Sequence, residues 1–363
     1  MNTGLQDVFT LAWKLAWAYH NGHLSTVKPT TTTAPPTESH KMLQLIGKSY
    51  HNERRPVAQA NAALSVRNYN RLLEITKACY LSEQHPTMLI QALEASSSLG
   101  VPFAARRDVF QRLFATATWT LSSLRDLHHR YTKHVRNNVR RILAKGGGLP
   151  LLFPHAELGF GYNSKSSKQT WESRAKEEDT MGFSPKIQVG HLFPHLLATV
   201  KSPCTQSLQR FPNLKVLRND TTTHDEERVS ISLSDLPAQV SRDSKPCFVL
   251  LVLEDDPLPE DSHFVDAAQT VSAKLGMSVE VVEILPDQIS AHFSPANSRH
   301  LTLQEEPHGV AGYFLEDYRP SAWLIRPDGH IAGEISKEQT DNQLGTHEKI
   351  LRYAEEALFG PPL

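Results

Sequence analysis

Cys247-Phe248-Val249-Leu250-Leu251-Val252-Leu253 is an unbroken apolar run of strand length. A strand with one wet face would alternate, so this run reads as a central strand buried on both sides. Downstream, Phe264, Ala267, Ala268, Val271 and Leu275 recur at helical spacing and stop at Gly276, which suits a helix C-terminus. Residues 278–284 read as a second strand. Residues 322–326 and 330–335 then form a hairpin about Pro327-Asp328-Gly329, where Pro presets φ and Gly accepts a positive one. Residues 346–358 make a closing amphipathic helix before Gly360. The order strand, helix, strand, hairpin, helix predicts an α/β domain, assigned to residues 206–363.

The other end of the chain is helical in pattern. Thr3 and Gln6 fit a capping box, and Asp7 adds negative charge near the positive end of the helix dipole. Val8, Leu11, Leu15 and Tyr19 recur at helical spacing beside Ala12 and Ala16, which predicts one amphipathic helix ending at Asn21-Gly22. In the segment Tyr50-x-x-Glu53-Arg54-Arg55-Pro56-Val57-Ala58, Pro56 is placed to open a second helix, having no amide to lose there. Glu53, Arg54 and Arg55 read as a solvated or salt-bridged turn before it. The Thr/Pro tract 26–37 lies between these helices and has too few apolar groups to pack, so residues 25–40 are expected to be a disordered insertion. From 57 to 145 the chain reads as mainly helical.

Composition excludes several classes. With 363 residues, 38 basic and 39 acidic side chains, the chain can hold two cored domains and has no global pull toward nucleic acid or membrane. Cys79, Cys204 and Cys247 are far apart and form no CxxC, which fits a reduced, cytoplasmic setting. No apolar run approaches membrane-spanning length. Arg130, Lys133, Arg136, Arg140, Arg141 and Lys145 line one segment without an acid, and read as a solvated helix face. His128, His129 and His134 lack a Cys or carboxylate at ligand spacing. Pro194 separates His191 from His195, so a zinc pair is not expected and His195 reads as structural. Gly159-x-Gly161 is no dinucleotide fingerprint, since Ser164 holds the third glycine position. Asp255 and Asp256 read as loop carboxylates.

Met1-Asn2-Thr3-Gly4-Leu5-Gln6-Asp7, with Leu11-Ala12-Trp13-Lys14-Leu15-Ala16, resembles the helix that closes the FAD site in flavin-dependent aromatic hydroxylases related to phenol hydroxylase. Tyr50-x-x-Glu53-Arg54-Arg55-Pro56 resembles the segment that follows that helix. Leu158-Gly159-Phe160-Gly161-Tyr162 and Gly190-x-x-x-Pro194-His195 resemble family segments before the C-terminal domain. Arg326-Pro327-Asp328-Gly329-His330 resembles the hairpin of that domain, which is thioredoxin-like and lacks redox cysteines.

The resemblance implies an FAD-dependent monooxygenase that uses NAD(P)H and oxygen to hydroxylate a phenol-like ring. It implies a helical remnant of the FAD-binding domain over 1–150, a connector over 151–205 and a thioredoxin-like domain over 206–363. It also implies that the backbone of Asn2, Thr3 and Gly4 meets the pyrimidine edge of the flavin, where helix N-terminal amides favour negative charge. No catalytic residue and no metal ligand is implied.

No glycine-rich strand–turn–helix unit for the FAD diphosphate is evident. A helix N-terminus contributes up to about 1 kcal/mol to an anion, whereas micromolar affinity needs about 8 kcal/mol. The chain alone is therefore expected to be incomplete and inactive as a hydroxylase. The alternative is a non-catalytic interaction or assembly protein, in which a homodimer or another partner covers the first helix at Trp13 or Trp17.

Overall fold

The computed structural model describes residues 3–24, 38–78, 130–144, 161–162, 187–200, 229–241, 245–254, 258, 262–285, 301–305, 321–336 and 343–361, with short pieces between 91 and 115. The chain divides into two compact units. One comprises residues 1–59, 154–174 and 181–363, and the other 60–153 and 175–180. The unit boundaries thus fall elsewhere than at 150 and 205: the N-terminal helix and the sheet belong to one body.

That body is built on a seven-stranded mixed sheet in the order β2-β1-β5-β4-β3-β6-β7. Its strands are β1 (Leu197–Val200), β2 (Val229–Ser232), β3 (Phe248–Leu253), β4 (Val279–Leu285), β5 (Leu301–Glu305), β6 (Ser321–Ile325) and β7 (Ile331–Ser336). The helices of the chain are α1 (Thr3–His20), α2 (Glu38–Ala78), α3 (Arg130–Ala144), α4 (Leu236–Val240), α5 (His263–Leu275) and α6 (Gln343–Phe359). Of these, α3 and the second half of α2 lie in the second unit.

The apolar run forms β3, central and buried along its whole length. It pairs in parallel with β4, as the two strands of a βαβ unit do, and antiparallel with β6. Side chains alternate across it. Phe248, Leu250 and Val252 face a layer made by α1, α5, α6 and the start of α2. Val249, Leu251 and Leu253 face a thinner layer containing Phe193, Leu196, Leu233, Leu236 and Val240. α5 is capped by Ser262, whose hydroxyl accepts from the Phe264 amide, and ends at Gly276 with φ of 66°. The expected strand, helix, strand, hairpin and closing helix are all present.

Four expectations are corrected. The sheet starts at Leu197, inside the segment assigned to a connector, because β1 pairs with both β2 and β5. Glu53, Arg54 and Arg55 sit in no turn: α2 runs unbroken through them with Pro56 in its interior, losing one amide hydrogen bond. α1 buries the face opposite to the expected stripe, with Thr10, Trp13, Lys14, Trp17 and Ala18 inside and Val8, Leu15 and Tyr19 outside. Trp13 and Trp17 are only 5 % and 6 % exposed, so the chain covers them itself and no partner is needed there. Trp13 meets Phe248 edge-on at 5.9 Å, and Trp17 meets Phe359 at 5.2 Å while its Nε1 donates to the Leu275 carbonyl at 2.8 Å. The insertion 25–40 lies almost entirely outside the described residues, as do Cys79, Cys204, Asp255 and Asp256.

Candidate functional site

The β6–β7 turn fixes the site. The Gly329 amide donates to the Arg326 carbonyl at 2.9 Å and the Arg326 amide to the His330 carbonyl at 2.8 Å. Gly329 has a φ of 78°, and a Cβ there would come within 3.1 Å of the Ser234 carbonyl oxygen, so glycine is required twice over. The turn brings Arg326 and Asp328 together. Nε and Nη2 of Arg326 donate to the two Asp328 oxygens at 3.0 and 2.8 Å.

The other edge of the same guanidinium faces α2. Its Nη1 and Nη2 donate to the two Glu53 oxygens at 3.1 and 3.2 Å. Lys14 of α1 donates from Nζ to Glu53 Oε2 at 3.1 Å and to Ser49 Oγ at 2.8 Å. Trp13 Nε1 donates to Asp328 Oδ2 at 3.1 Å, and the Trp13 ring lies against both Arg326 and Lys14, with cation–centroid distances of 5.3 and 5.4 Å.

Tyr162 extends the network toward the start of α1. Its ring lies 5.0 Å from the Arg326 guanidinium and 4.3 Å from the His330 ring. Its hydroxyl is 2.9 Å from Thr10 Oγ1 and accepts from Arg54 Nη1 at 3.1 Å. Arg54 then donates to Asp7 Oδ1 at 2.7 Å, Gln6 Oε1 at 3.2 Å and the Thr3 carbonyl at 3.4 Å. Asp7 and Gln6 are thus bound to Arg54, and Thr3 lies within the helix rather than capping it. Lys14, Arg54 and Arg326 are matched by Asp7, Glu53 and Asp328.

Two further segments reach the hairpin. The Tyr162 amide donates to the Gly190 carbonyl at 2.9 Å, the Ile331 amide to the His191 carbonyl at 2.9 Å, and the Phe193 amide to the Gly329 carbonyl at 2.9 Å. A Cβ on Gly161 would fall 2.8 Å from the His191 ring, so these strands approach closely only with glycine there. His195 is exposed, and its Nδ1 lies 2.6 Å from Ser232 Oγ.

Burial and neighbouring charges together set the protonation states. Burial lowers the Lys14 amine to about 8, with Arg326 pushing the same way against Glu53 and Asp328. Burial also opposes charge on Arg326, but Asp328 and Glu53 outweigh it and hold the guanidinium above its ordinary value. For Asp328, burial favours the neutral acid, yet Arg326 and His330 prevail and hold the carboxyl well below the usual range. Burial, then Asp328, raises the Tyr162 phenol, which stays protonated. Burial would lower Arg54, but Tyr162 and Asp7 raise it on balance.

The arrangement clamps α1 and α2 to the hairpin. A lysine amine 2.8 Å from a serine hydroxyl has the geometry of a base and nucleophile, but Lys14 and Ser49 are fully enclosed and leave a substrate no approach. The expected flavin contacts lie at the far end of α1. Asn2 lies outside the described residues, Thr3 is half-buried, and Gly4 is exposed with nothing within 4 Å of where a Cβ would project. Among the described residues, no group of three His, Cys, Asp or Glu is placed to hold a metal ion, and no helix is long and apolar enough to cross a membrane.

Sequence reasoning singled out Glu53, Arg54, Tyr162 and the hairpin without joining them, and it missed Lys14 as their partner. The available signal was a lysine beside Trp13 within an otherwise apolar helix.

No protein-family model matches the chain, and no curated protein matches it. Seven solved chains match. One of them, titled "Crystal Structure of Yeast Sco1 with Copper Bound", is 16 % identical with a TM-score of 0.26, over 35 % of this chain and 84 % of that one. A likeness at that level bears on neither the activity nor the ligands of this chain.

Proposed function

We propose that this chain carries the C-terminal portion of an FAD-dependent aromatic hydroxylase of the phenol hydroxylase-like kind: the helix that closes the flavin site, a helical remnant of the FAD-binding domain, and a thioredoxin-like domain without redox cysteines. One observation carries the reading. Four segments that resemble the family, in α1, around Glu53-Arg54, at Tyr162 and at Arg326–His330, meet in a single buried charge network. Residues far apart in the chain thus share one physical task, which supports common descent of the whole set. The strand order β4-β3-β6-β7, with α5 and α6 in one helical layer, supports the thioredoxin-like part.

What supports FAD at the start of α1 is the open space over Gly4, at the end of the helix where the dipole favours negative charge. When bound, FAD would supply the electron transfer from NAD(P)H and the oxygen chemistry of ring hydroxylation. The chain's own contribution would be to hold α1 in place through Arg54, Tyr162 and Trp13. Among the described residues, the parallel βαβ unit β3–α5–β4 enters its helix through Ser262 and His263 rather than a glycine-rich turn, so it offers no cradle for a diphosphate. A phenol-like substrate and a cytoplasmic setting complete the proposal, the latter from three scattered cysteines that form no CxxC.

Titration with FAD and with riboflavin, followed by flavin fluorescence, tests the reading. Both should bind equally and no tighter than about millimolar, because only the ring end is contacted. Gly4→Glu should abolish that binding by placing negative charge at the helix start. Stoichiometric FAD retention with NADPH oxidation would overturn the expected insufficiency; no flavin binding at any concentration would overturn the flavin reading. A non-catalytic interaction protein is the second reading, favoured by the exposed apolar face of α1.

A further inference from the structure

With Thr10, Trp13, Lys14, Trp17 and Ala18 turned inward, the opposite face of α1 stands in water. There Leu5 is 71 % exposed, Val8 65 %, Phe9 60 % and Tyr19 67 %, with Ala12 and Leu15 exposed between them. Positions 5, 8, 12, 15 and 19 step alternately by three and four, the spacing of a coiled-coil seam, and Phe9 flanks it. A surface helix ordinarily has one apolar stripe and buries it. This one has two.

We propose that the outer stripe is covered by the same stripe of a second copy, the two α1 helices lying antiparallel about a two-fold axis at Ala12. The inference does not rest on the flavin reading. Self-complementarity carries it. In this register Leu5 faces the partner's Tyr19, Val8 faces the partner's Leu15, and Ala12 faces its own counterpart. The small central pair lets the helices approach, and Phe9 from each side fills the space beside it. No charged side chain lies on the seam, so closing it strands no ion. The antiparallel arrangement sets the positive end of each helix dipole beside the negative end of the other, which a parallel pair would not.

The area is sufficient. Large apolar side chains bury roughly 100 Å² each, so the stripe offers on the order of 400 Å² per copy. With its rim, the pair reaches on the order of 1,000 Å² in total, the lower limit for specific association. A reversible dimer is expected rather than a permanent one.

Light scattering on the full chain across about 1–100 µM, the range such an area supports, gives the first test. The mass should rise from the 40.7 kDa of one chain toward twice that value. Val8→Glu, at an exposed position, should remain monomeric with an unchanged circular dichroism spectrum. Orientation is read separately by oxidative cross-linking in a Cys79→Ser/Cys204→Ser background. Ala12→Cys should form a disulfide-linked dimer and Leu5→Cys should not, because two Leu5 positions lie about 20 Å apart in the antiparallel pair. A mass that stays at one chain throughout, as when an unrelated polypeptide is the natural cover, would overturn the proposal. So would a Val8→Glu variant that still dimerises, or cross-linking at Leu5→Cys as strong as at Ala12→Cys.

Discussion

Replacing Glu53 by Gln removes one negative charge from the centre of the clamp and leaves its shape intact. The wild-type carboxylate accepts from Arg326 Nη1, Arg326 Nη2 and Lys14 Nζ, all within 3.2 Å. The loss has two shares. Lys14 can escape by releasing its proton: with its amine at about 8, deprotonation at pH 7 costs about 1.4 kcal/mol, which caps that share. Arg326 has no such escape, and losing a charge-assisted contact that it keeps only with Asp328 costs about 2–3 kcal/mol. The expected destabilisation at pH 7 is therefore about 3–4 kcal/mol.

The sign of the pH dependence follows from the same amine. Its native pKa lies below its unfolded one, so the unfolded chain binds the extra proton between them, and wild-type stability rises as pH climbs from about 8 toward 10.5. At pH 9 Lys14 is already mostly neutral in the wild type, so its share of the Glu53→Gln deficit vanishes and about 2–3 kcal/mol remains. Urea unfolding followed by tryptophan fluorescence measures both, since Trp13, Trp17 and Trp323 are buried in this unit. Exposed Glu355→Gln serves as the control. A Glu53→Gln chain within about 0.5 kcal/mol of wild type at pH 7, or a deficit that grows toward pH 9, would refute the clamp as described.

Gly333→Ala should lose about 1–3 kcal/mol, because its Cβ would sit 2.1 Å from the Tyr353 ring; adding Tyr353→Ala should recover part of the loss, read by thermal unfolding. Trp13→Phe keeps a ring against Phe248 but removes the Nε1 donor to Asp328, and should cost about 1–2 kcal/mol in the same urea assay. Asp328 has a depressed native pKa, so its stabilisation is present above about pH 4 and is lost as pH falls well below the carboxylate range. Asp328→Asn is therefore less stable than wild type at neutral pH. The gap between the two should narrow in strong acid, and a gap independent of pH down to about 2 would contradict the ion pairing.

The half of the fold around β3 was legible because its signals are local. A continuous apolar run, a capped amphipathic helix and a Pro-Asp-Gly turn each specify one element without reference to the rest. β1, β2 and β5 were not legible. They are four or five residues long and mix apolar with polar side chains, and they become strands only by pairing along an existing edge. Charge was misread for a related reason. Glu53 and Arg54 show their sign in the sequence, but their cover comes from Trp13, Tyr162 and a hairpin some 270 residues away.

The inverted orientation of α1 has the same origin. Both of its faces are apolar enough to be buried, so hydrophobic burial alone scarcely chooses between them. The choice is made by polar partners. Docking the leucine face would leave Asp328 without the Trp13 Nε1 donor and Arg326 without the Trp13 ring, and would take Lys14 away from Glu53. An enclosed carboxylate or guanidinium short of its partner costs several kcal/mol, more than the difference in apolar area between the two faces can return. The buried ions therefore contribute little net stability once their desolvation is included. Their effect is to make one rotation of α1 the only affordable one, and that rotation leaves Leu5, Val8, Phe9 and Tyr19 in solvent.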